Sequence, residues 1–390
     1  MRRDAAILAT LCLNFAFWFD NGTLLWLPVP GPVSALLVAL IAAAVAAVFF
    51  AGPALAVLRN GNGLFATVEA SLGRIPAHLI RFCALWYLVD WVAELLSRAS
   101  YWALPGILKR DPANTEFALF ELVILAFLTA TAHESRLARF SIRLSIAVLI
   151  ACAIRVRESP AYLTGPIESL EWSLNRLALG VAPMAFLAAN LGARLQSSRH
   201  VLSTAALGLA LPLWVSVFLV GLVNMATFHS RFYQPSNGPT IAMALMGGVS
   251  SRAIPALLLI VTITLFGPIR LGLQLLRTTL PPILAWPGLL AIAASVSGVT
   301  ISSIYFQKYF LPAIPATILA TTAAVLAAGL ILPPKGKMIA NLALLAGAIV
   351  GGHNIREPEI LPAYATAFVL TLAGRKLQSI LPAKPIGSLC

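Results

Sequence analysis

The chain has 390 residues, of which 59% are hydrophobic and 11% are charged, and its mean hydropathy is +0.89. This composition excludes a soluble globular domain and indicates a protein whose surroundings are mostly lipid. The formal net charge of +13 does not indicate nucleic-acid binding, because the basic residues are scattered over short loops rather than gathered on one face. The four cysteines have no paired spacing, so neither a zinc site nor a disulfide framework is expected.

The apolar runs predict an all-α polytopic membrane protein with about twelve transmembrane helices, at about 20 residues per helix. The predicted spans lie at about 5–27, 31–58, 76–102, 116–132, 140–154, 172–195, 201–227, 240–265, 283–305, 311–332, 339–351 and 360–372. An even number of crossings places both termini on one side, and most Lys and Arg residues fall in loops on that side. Because cytoplasmic loops collect these residues, we expect a multi-pass protein of the cell inner (plasma) membrane with both termini in the cytoplasm.

Three polar stretches are predicted to lie on the cytoplasmic side. Residues 59–75 follow the second span, and residues 133–139 form a short turn after the fourth. The tail of the eighth span runs through Arg270 to Arg277, with a helical continuation left open. Most loops are too short to hold a folded catalytic unit, so a functional site is expected between the helices.

Two spans contain breaks at comparable places. The first span contains the turn-forming triplet Asp20, Asn21 and Gly22, and the sixth contains Gly180 three residues before Pro183. A broken helix frees backbone dipoles that can hold a polar substrate or a cation. The alternative is that Gly and Pro merely kink these helices.

Paired breaks would divide the chain into internal repeats. Residues 1–155 and 172–333 would form two five-helix halves of opposite orientation, and residues 334–390 would add two helices and a C-terminal tail, all within one integral membrane domain. Paired breaks in inverted halves are the best sequence indication of a transporter site.

The third span carries a polar stripe at four-residue spacing. Trp86, Asp90, Glu94 and Arg98 fall on one helical face within an otherwise apolar sequence. A carboxylate that faced lipid near the middle of a span would cost about 3 kcal/mol, so such a group usually faces a bundle interior or a wet cavity. Asp90 is therefore the first candidate for a solute or proton site, whereas Glu94 and Arg98 are predicted to form a structural ion pair.

Other residues complete the candidate site. Trp86 and Trp91 are candidates to stack on a ligand, although both could be ordinary packing groups. Ser250 and Ser251 in the eighth span could offer hydroxyl oxygens to a sodium ion, although Ser also packs in membrane helices without function. No cofactor or metal is expected, apart from Na⁺ or H⁺ as a coupling ion.

Residues 63–91 resemble a known family. They contain an Ala-Ser-x-Gly segment, a basic helix start and an aromatic pair before an acid, in the order Glu69-Ala70-Ser71-Leu72-Gly73, Arg74, Arg81 and Trp86-Tyr87-Leu88-Val89-Asp90. The segment is similar to the loop and third helix of the nucleobase–cation symporter family, the cytosine-permease and hydantoin-transporter group within the amino acid–polyamine–cation superfamily. The resemblance implies the leucine-transporter fold, a five-plus-five inverted repeat with two extra helices. It also implies that Trp86 stacks on a flat heterocycle and that Asp90 stands at the family's substrate-binding Gln position.

These observations favour a secondary active transporter, not an enzyme, that alternates access around a midplane site. Its expected partners are a lipid bilayer and a small polar organic solute, such as a nucleobase-like heterocycle or an amino acid, driven by a proton or sodium gradient. One alternative is a polytopic transferase acting on a lipid-linked substrate through His133, Glu134 and Arg136. Another is a ligand sensor that has a transporter-like fold without carrying its ligand. The sequence does not indicate an oligomeric state.

Overall fold

The structure is a computed structural model that describes residues 31–130, 134–157, 170–190, 195–215, 254–280, 283, 286, 288, 289, 292, 313–332, 337–353 and 359–380. Within these residues every regular element is a helix, which confirms the predicted all-α fold. The labels used below number only these helices. They are α1 (Gly31–Asn60), α2 (Leu64–Leu72), α3 (Arg74–Leu108), α4 (Asn114–Ala130), α5 (Glu134–Arg157), α6 (Leu170–Ala188), α7 (Ser198–Thr204, continued by a π-helical segment, Ala205–Ala210), α8 (Ile254–Thr264), α9 (Phe266–Thr279), α10 (Ala313–Ile331), α11 (Lys337–Gly352) and α12 (Ile360–Ile380).

The helix boundaries define the three stretches that were predicted to be polar and cytoplasmic. Within residues 59–75 the chain forms α2, because Leu64, Val68 and Leu72 recur every four residues and are buried together. Helix α5 begins at Glu134, so most of the predicted turn at 133–139 is already helical. The stretch that includes Arg270 continues as helix α9, which the sequence had left open, and the Arg270 side chain is buried.

The outer surface of the bundle is apolar. Three described helical stretches are long and apolar enough to cross a membrane, namely Ala43–Asn60, Pro255–Arg277 and Ala313–Ile331. On α4, the side chains of Leu119, Val123 and Phe127 are more than half exposed. Large exposed apolar side chains on a continuous helix are expected where the surrounding solvent is lipid. The chain is therefore an integral membrane protein.

Helix α10 lies in the middle of the described bundle, in contact with α1, α3, α6, α11 and α12. Small Ala and Thr residues dominate its sequence and allow close helix approach. A Cβ atom on Gly52 of α1 would lie only 2.6 Å from the Cβ atom of Ala327. The hydroxyls of Thr317 and Thr322 donate to carbonyls four residues earlier, at 2.9 and 2.7 Å, so these buried polar groups are satisfied within the helix.

A proline in α9 leaves one backbone carbonyl to be satisfied by another helix. Pro268 has no N–H, so it cannot bond to the carbonyl of Thr264 four residues earlier. The hydroxyl of Ser141 on α5 donates to that carbonyl instead. The contact joins α5 to the junction of α8 and α9, where the helix hydrogen bonds are interrupted.

Buried arginine side chains donate to carbonyls at the C-terminal ends of two helices. Arg270 of α9 donates to the carbonyl of Leu128 in the last turn of α4. Arg375 of α12 donates to the carbonyl of Leu332, immediately after α10, at 2.6 Å. Both arginine side chains are buried. The last four carbonyls of a helix lack intrahelical partners, so these contacts satisfy groups that lipid could not.

Helix α2 is held at both ends by residues distant in sequence. The amide side chain of Asn190, just after α6, accepts a hydrogen bond from the Leu64 backbone N–H at 3.0 Å. At the other end, the side chain of Asn341 on α11 donates to the Leu72 carbonyl at 3.1 Å. These two contacts join the short α2 helix to α6 and α11.

The close approach of α1 and α10 predicts that Gly52→Ala destabilises the protein. The added Cβ would overlap that of Ala327, and overpacking a tight contact costs about 1–3 kcal/mol. Thermal unfolding in detergent would measure the loss. Gly352→Ala is the matched control, because a Cβ at Gly352 meets nothing within 4 Å. Equal stability of the two variants would contradict the close approach.

The Asn190 contact predicts a loss of about 1 kcal/mol for Asn190→Ala, because the first backbone N–H of α2 then loses its acceptor. Asn190→Asp keeps a side-chain oxygen at that place and is expected to retain most of the stability. Chemical unfolding in mild detergent would compare the three proteins. An alanine variant as stable as the aspartate variant would show that Asn190 does not cap α2.

Candidate functional site

The predicted polar stripe lies along the uninterrupted helix α3. Four-residue spacing places Trp86, Asp90, Glu94 and Arg98 within an arc of about 120° around the helix. All four side chains are partly exposed. The neighbouring apolar residues of α3 are buried, among them Leu88, Val92, Leu95, Leu96 and Ala99. The polar residues therefore occupy the accessible side of a helix whose remaining faces are largely packed.

Glu94 and Arg98 form the predicted ion pair. The Nη2 and Nε atoms of Arg98 donate to Oε1 of Glu94 at 2.7 and 3.0 Å. Their side chains are 29% and 19% exposed, so the pair is shielded but not enclosed. Pairing opposite charges one turn apart lowers the cost of keeping both within an apolar helix bundle.

The two candidate tryptophans have different environments. Trp86 is partly accessible, and its ring meets the edge of Phe82 with the centroids 6.0 Å apart. Trp91 is only 5% exposed and packs against Gly272 of α9, where a Cβ atom would lie 2.8 Å from its ring. The burial of Trp91 favours the second interpretation of this residue, ordinary packing between helices. A role of Trp91 in ligand binding stays a prediction.

Gly180 lies within a continuous helix. Helix α6 runs from Leu170 to Ala188 and contains both Gly180 and Pro183, so the predicted break in the sixth span is wrong. The reason is that membrane helices tolerate both residues, and a proline removes one hydrogen bond without unwinding the turn. Pro183 still cannot donate to the carbonyl of Leu179, so that carbonyl lacks its usual intrahelical partner.

Five predicted site residues lie outside the described residues. They are Asp20, Asn21 and Gly22 of the predicted first break and Ser250 and Ser251 of the predicted cation site. Their assignments stay predictions, as do the repeat boundaries at 155, 172 and 333.

The structure adds one acidic residue that the sequence analysis missed. Glu121 of α4 is only 1% exposed, and its Oε1 atom lies 2.6 Å from the hydroxyl oxygen of Ser100 on α3. The signal was present in the sequence, because Glu121 is a single charge within the apolar run 117–132. It has no residue of opposite charge at helical spacing on its own span.

Comparisons with known proteins identify the fold. The sequence matches no family model and no curated protein. Mhp1, a nucleobase–cation-symport-1 family transporter in a closed conformation with bromovinylhydantoin bound, superposes with a TM-score of 0.64 at 13% identity, over 97% of this chain and 93% of that one. A Na⁺-coupled sialic acid symporter in a substrate-bound outward-open state has a TM-score of 0.62 at 9% identity, over 95% and 89%. A manganese transporter of Eremococcus coleocola, in complex with an aromatic bis-isothiourea compound, has a TM-score of 0.55 at 14% identity, over 96% and 86%.

These likenesses cover nearly the whole chain, and all three structures are of transporters. The chain therefore has the leucine-transporter-like fold that the resemblance at residues 63–91 implied. At these identities the likeness concerns the fold, and the solutes named for the three structures belong to those proteins.

The packing of Trp91 predicts that Trp91→Ala destabilises the protein by about 3–5 kcal/mol, because it opens a cavity between α3 and α9. Trp86→Ala removes a partly exposed ring and is expected to cost much less. Thermal unfolding of both variants in detergent would test the difference. Equal losses would contradict the distinct roles of the two rings.

Proposed function

We propose that this chain is a secondary active transporter that carries a small polar organic solute across the cell inner (plasma) membrane by alternating access. The observation that carries the proposal is the transporter fold, shared over 97% of the chain with the nucleobase–cation-symport-1 transporter. Both termini would be cytoplasmic, as the distribution of basic residues predicts. A proton or sodium gradient would drive uptake.

The solute site would lie beside α3, at Asp90 and Trp86. Asp90 stands near the middle of the 35-residue helix, on its partly exposed stripe. A carboxylate at such a depth is expensive unless it faces a cavity or a partner. Glu94 and Arg98 form an ion pair with each other, so we assign the solute contact to Asp90, which is partly exposed on the same stripe.

The chemistry of these two side chains favours a solute with N–H groups and a flat or cationic part. A carboxylate accepts hydrogen bonds, so Asp90 suits a ring N–H or an ammonium group. The Trp86 indole offers a flat surface on which a heterocycle could stack or a cation could rest. A nucleobase-like heterocycle or an amino acid fits both side chains. The names of the three transporters that share the fold mention chemically different compounds, namely a hydantoin, manganese and sialic acid.

The start of α5 argues against the transferase alternative. Glu134 and Arg136 belong to the first turn of a helix rather than to an extended turn that could fold over a lipid-linked substrate. A ligand sensor with the same fold remains the other candidate, and transport assays distinguish it from a carrier.

Ligand-dependent thermal stabilisation of the purified protein tests the proposal. The probes are uracil, cytosine, bromovinylhydantoin, a set of amino acids and polyamines, each with and without sodium and at two pH values. We expect one class of compound to raise the melting temperature of the wild-type protein. Asp90→Asn and Trp86→Ala are expected to weaken binding about tenfold or more, because each removes a direct contact with the solute.

Two controls match these variants in chemistry but not in position. Asp111→Asn changes an exposed acid in the loop after α3, and Trp286→Ala changes a tryptophan that is 73% exposed. Both are expected to bind like the wild type. A stabilising compound that binds the Asp90→Asn and Trp86→Ala variants as tightly as the wild type would show that the solute site does not lie at these two residues of α3. Uptake of that compound into proteoliposomes would identify a carrier, whereas binding without uptake would identify a sensor.

A further inference from the structure

Glu121 is a buried acid on a different side of α3 from the polar stripe. Both Glu121 and Ser100 are 1% exposed, at the contact between α3 and α4. Ser100 is about 80° around α3 from Asp90 and about 15 Å further along its axis. The two acids therefore belong to separate places in the bundle. An ionised carboxylate buried at Glu121 would cost several kcal/mol unless its charge were fully compensated.

The hydrogen-bond geometry around Ser100 indicates where a proton must be. The Ser100 hydroxyl oxygen lies 2.6 Å from Glu121 Oε1 and 2.8 Å from the carbonyl oxygen of Ser97. A hydroxyl has one hydrogen, so Ser100 can donate a full hydrogen bond to only one of these two oxygens. A carbonyl can only accept. A single hydrogen shared between two acceptors gives two weakened bonds, whereas a protonated Glu121 that donates to Ser100, while Ser100 donates to Ser97, makes both short contacts full hydrogen bonds.

The second carboxyl oxygen supports the same protonation state. Glu121 Oε2 is buried and has no hydrogen-bond partner among the described residues. In a carboxylate this atom would carry half of a negative charge, whereas in a protonated acid it is a neutral carbonyl oxygen. An unpaired neutral oxygen is the less costly of the two in an apolar environment.

The charged groups on the neighbouring helices have contacts of their own. On α3, Arg98 bonds to Glu94, and Asp90 lies about 15 Å along the axis from Ser100. On α9, Arg270 donates to the Leu128 carbonyl, seven residues or about 10 Å along α4 from Glu121. The remaining charged or titratable groups on these helices lie toward the helix ends: Arg74, His78 and Arg81 at the start of α3, Arg277 at the end of α9 and Glu116 at the start of α4, where Glu116 accepts from Arg110 at 3.0 Å. A proton is thus the simplest counter-charge for Glu121.

We propose that Glu121 and Ser100 form an exchangeable proton-binding site between α3 and α4, occupied in this conformation. Binding adds H⁺ to one carboxylate oxygen of Glu121. Release returns H⁺ to water when water can reach the site between α3 and α4. If the proposed transport function holds, this proton is a coupling ion, and the site is separate from the solute stripe. The proton site itself does not require that function.

Infrared spectroscopy of the purified protein tests the protonation directly. A protonated carboxylic acid has a carbonyl stretching band that an ionised carboxylate lacks. We expect this band at neutral pH in the wild type and its loss in Glu121→Gln. The matched control is Glu116→Gln on the same helix, which removes an exposed carboxylate paired with Arg110 and should leave the band unchanged. A band that is absent from the wild type, or retained in Glu121→Gln, would overturn the proposal.

Ser100→Ala gives a second test that keeps the acid in place. Removing the hydroxyl leaves the Glu121 proton without its acceptor, so the band is expected to persist at a shifted frequency. An unchanged frequency would mean that Ser100 does not bond to the acid. This variant also decides the question if Glu121→Gln fails to fold.

Transfer into D₂O tests whether the proton exchanges. Deuteration shifts the carbonyl band of an exchangeable acid, and we expect the shift in native protein without unfolding. A band that never shifts would identify a permanently neutral structural acid and overturn the proposed site. No solute is present in these infrared measurements. If no compound raised the melting temperature in the stabilisation assay, that result would therefore count against the transport proposal and not against the proton site.

Discussion

The structure depends on one constraint, which is that lipid offers no hydrogen bonds to exposed backbone groups. Each helix end or proline site inside the bundle must therefore find its partner within the protein. Arg270 supplies one for the carbonyl of Leu128, and Ser141 supplies one for the carbonyl of Thr264, which Pro268 leaves without its intrahelical donor. These contacts connect α4 with α9 and α5 with the α8–α9 junction. The polar groups that satisfy the backbone thus also determine which helices are neighbours.

The same constraint requires that the charged groups on α3 and α4 be compensated within the bundle. Glu94 and Arg98 neutralise each other, which is the ordinary solution for charges in an apolar bundle. Asp90 lies on the partly exposed stripe, where we propose that it meets a solute or a cation. Glu121 is fully buried beside the Ser100 hydroxyl, where we propose that it holds a proton. The two proposals place the solute and the proton at different positions along α3.

Much of the fold could be predicted from local sequence features. Composition and span length led to the all-α membrane class, and the four-residue spacing placed the stripe on one face of α3. The predictions failed where local signals are ambiguous. Gly180 and Pro183 resemble a helix break, yet a helix packed on its neighbours tolerates both, and α6 continues through them. The run from Arg270 to Arg277 was expected on the cytoplasmic side, yet Arg270 is buried, where it donates to the Leu128 carbonyl of another helix.

Local sequence is enough to predict the chemistry of each helix face, because side-chain type and helical period are local properties. It determined a lipid-exposed helical chain with Trp86 and Asp90 on one stripe. Only the tertiary structure decided that Trp91 packs against Gly272 and that Glu121 meets Ser100. Those contacts join different helices, and they depend on how closely the helix backbones approach. That distance is set by the whole packed bundle, so no stretch of sequence specifies it alone.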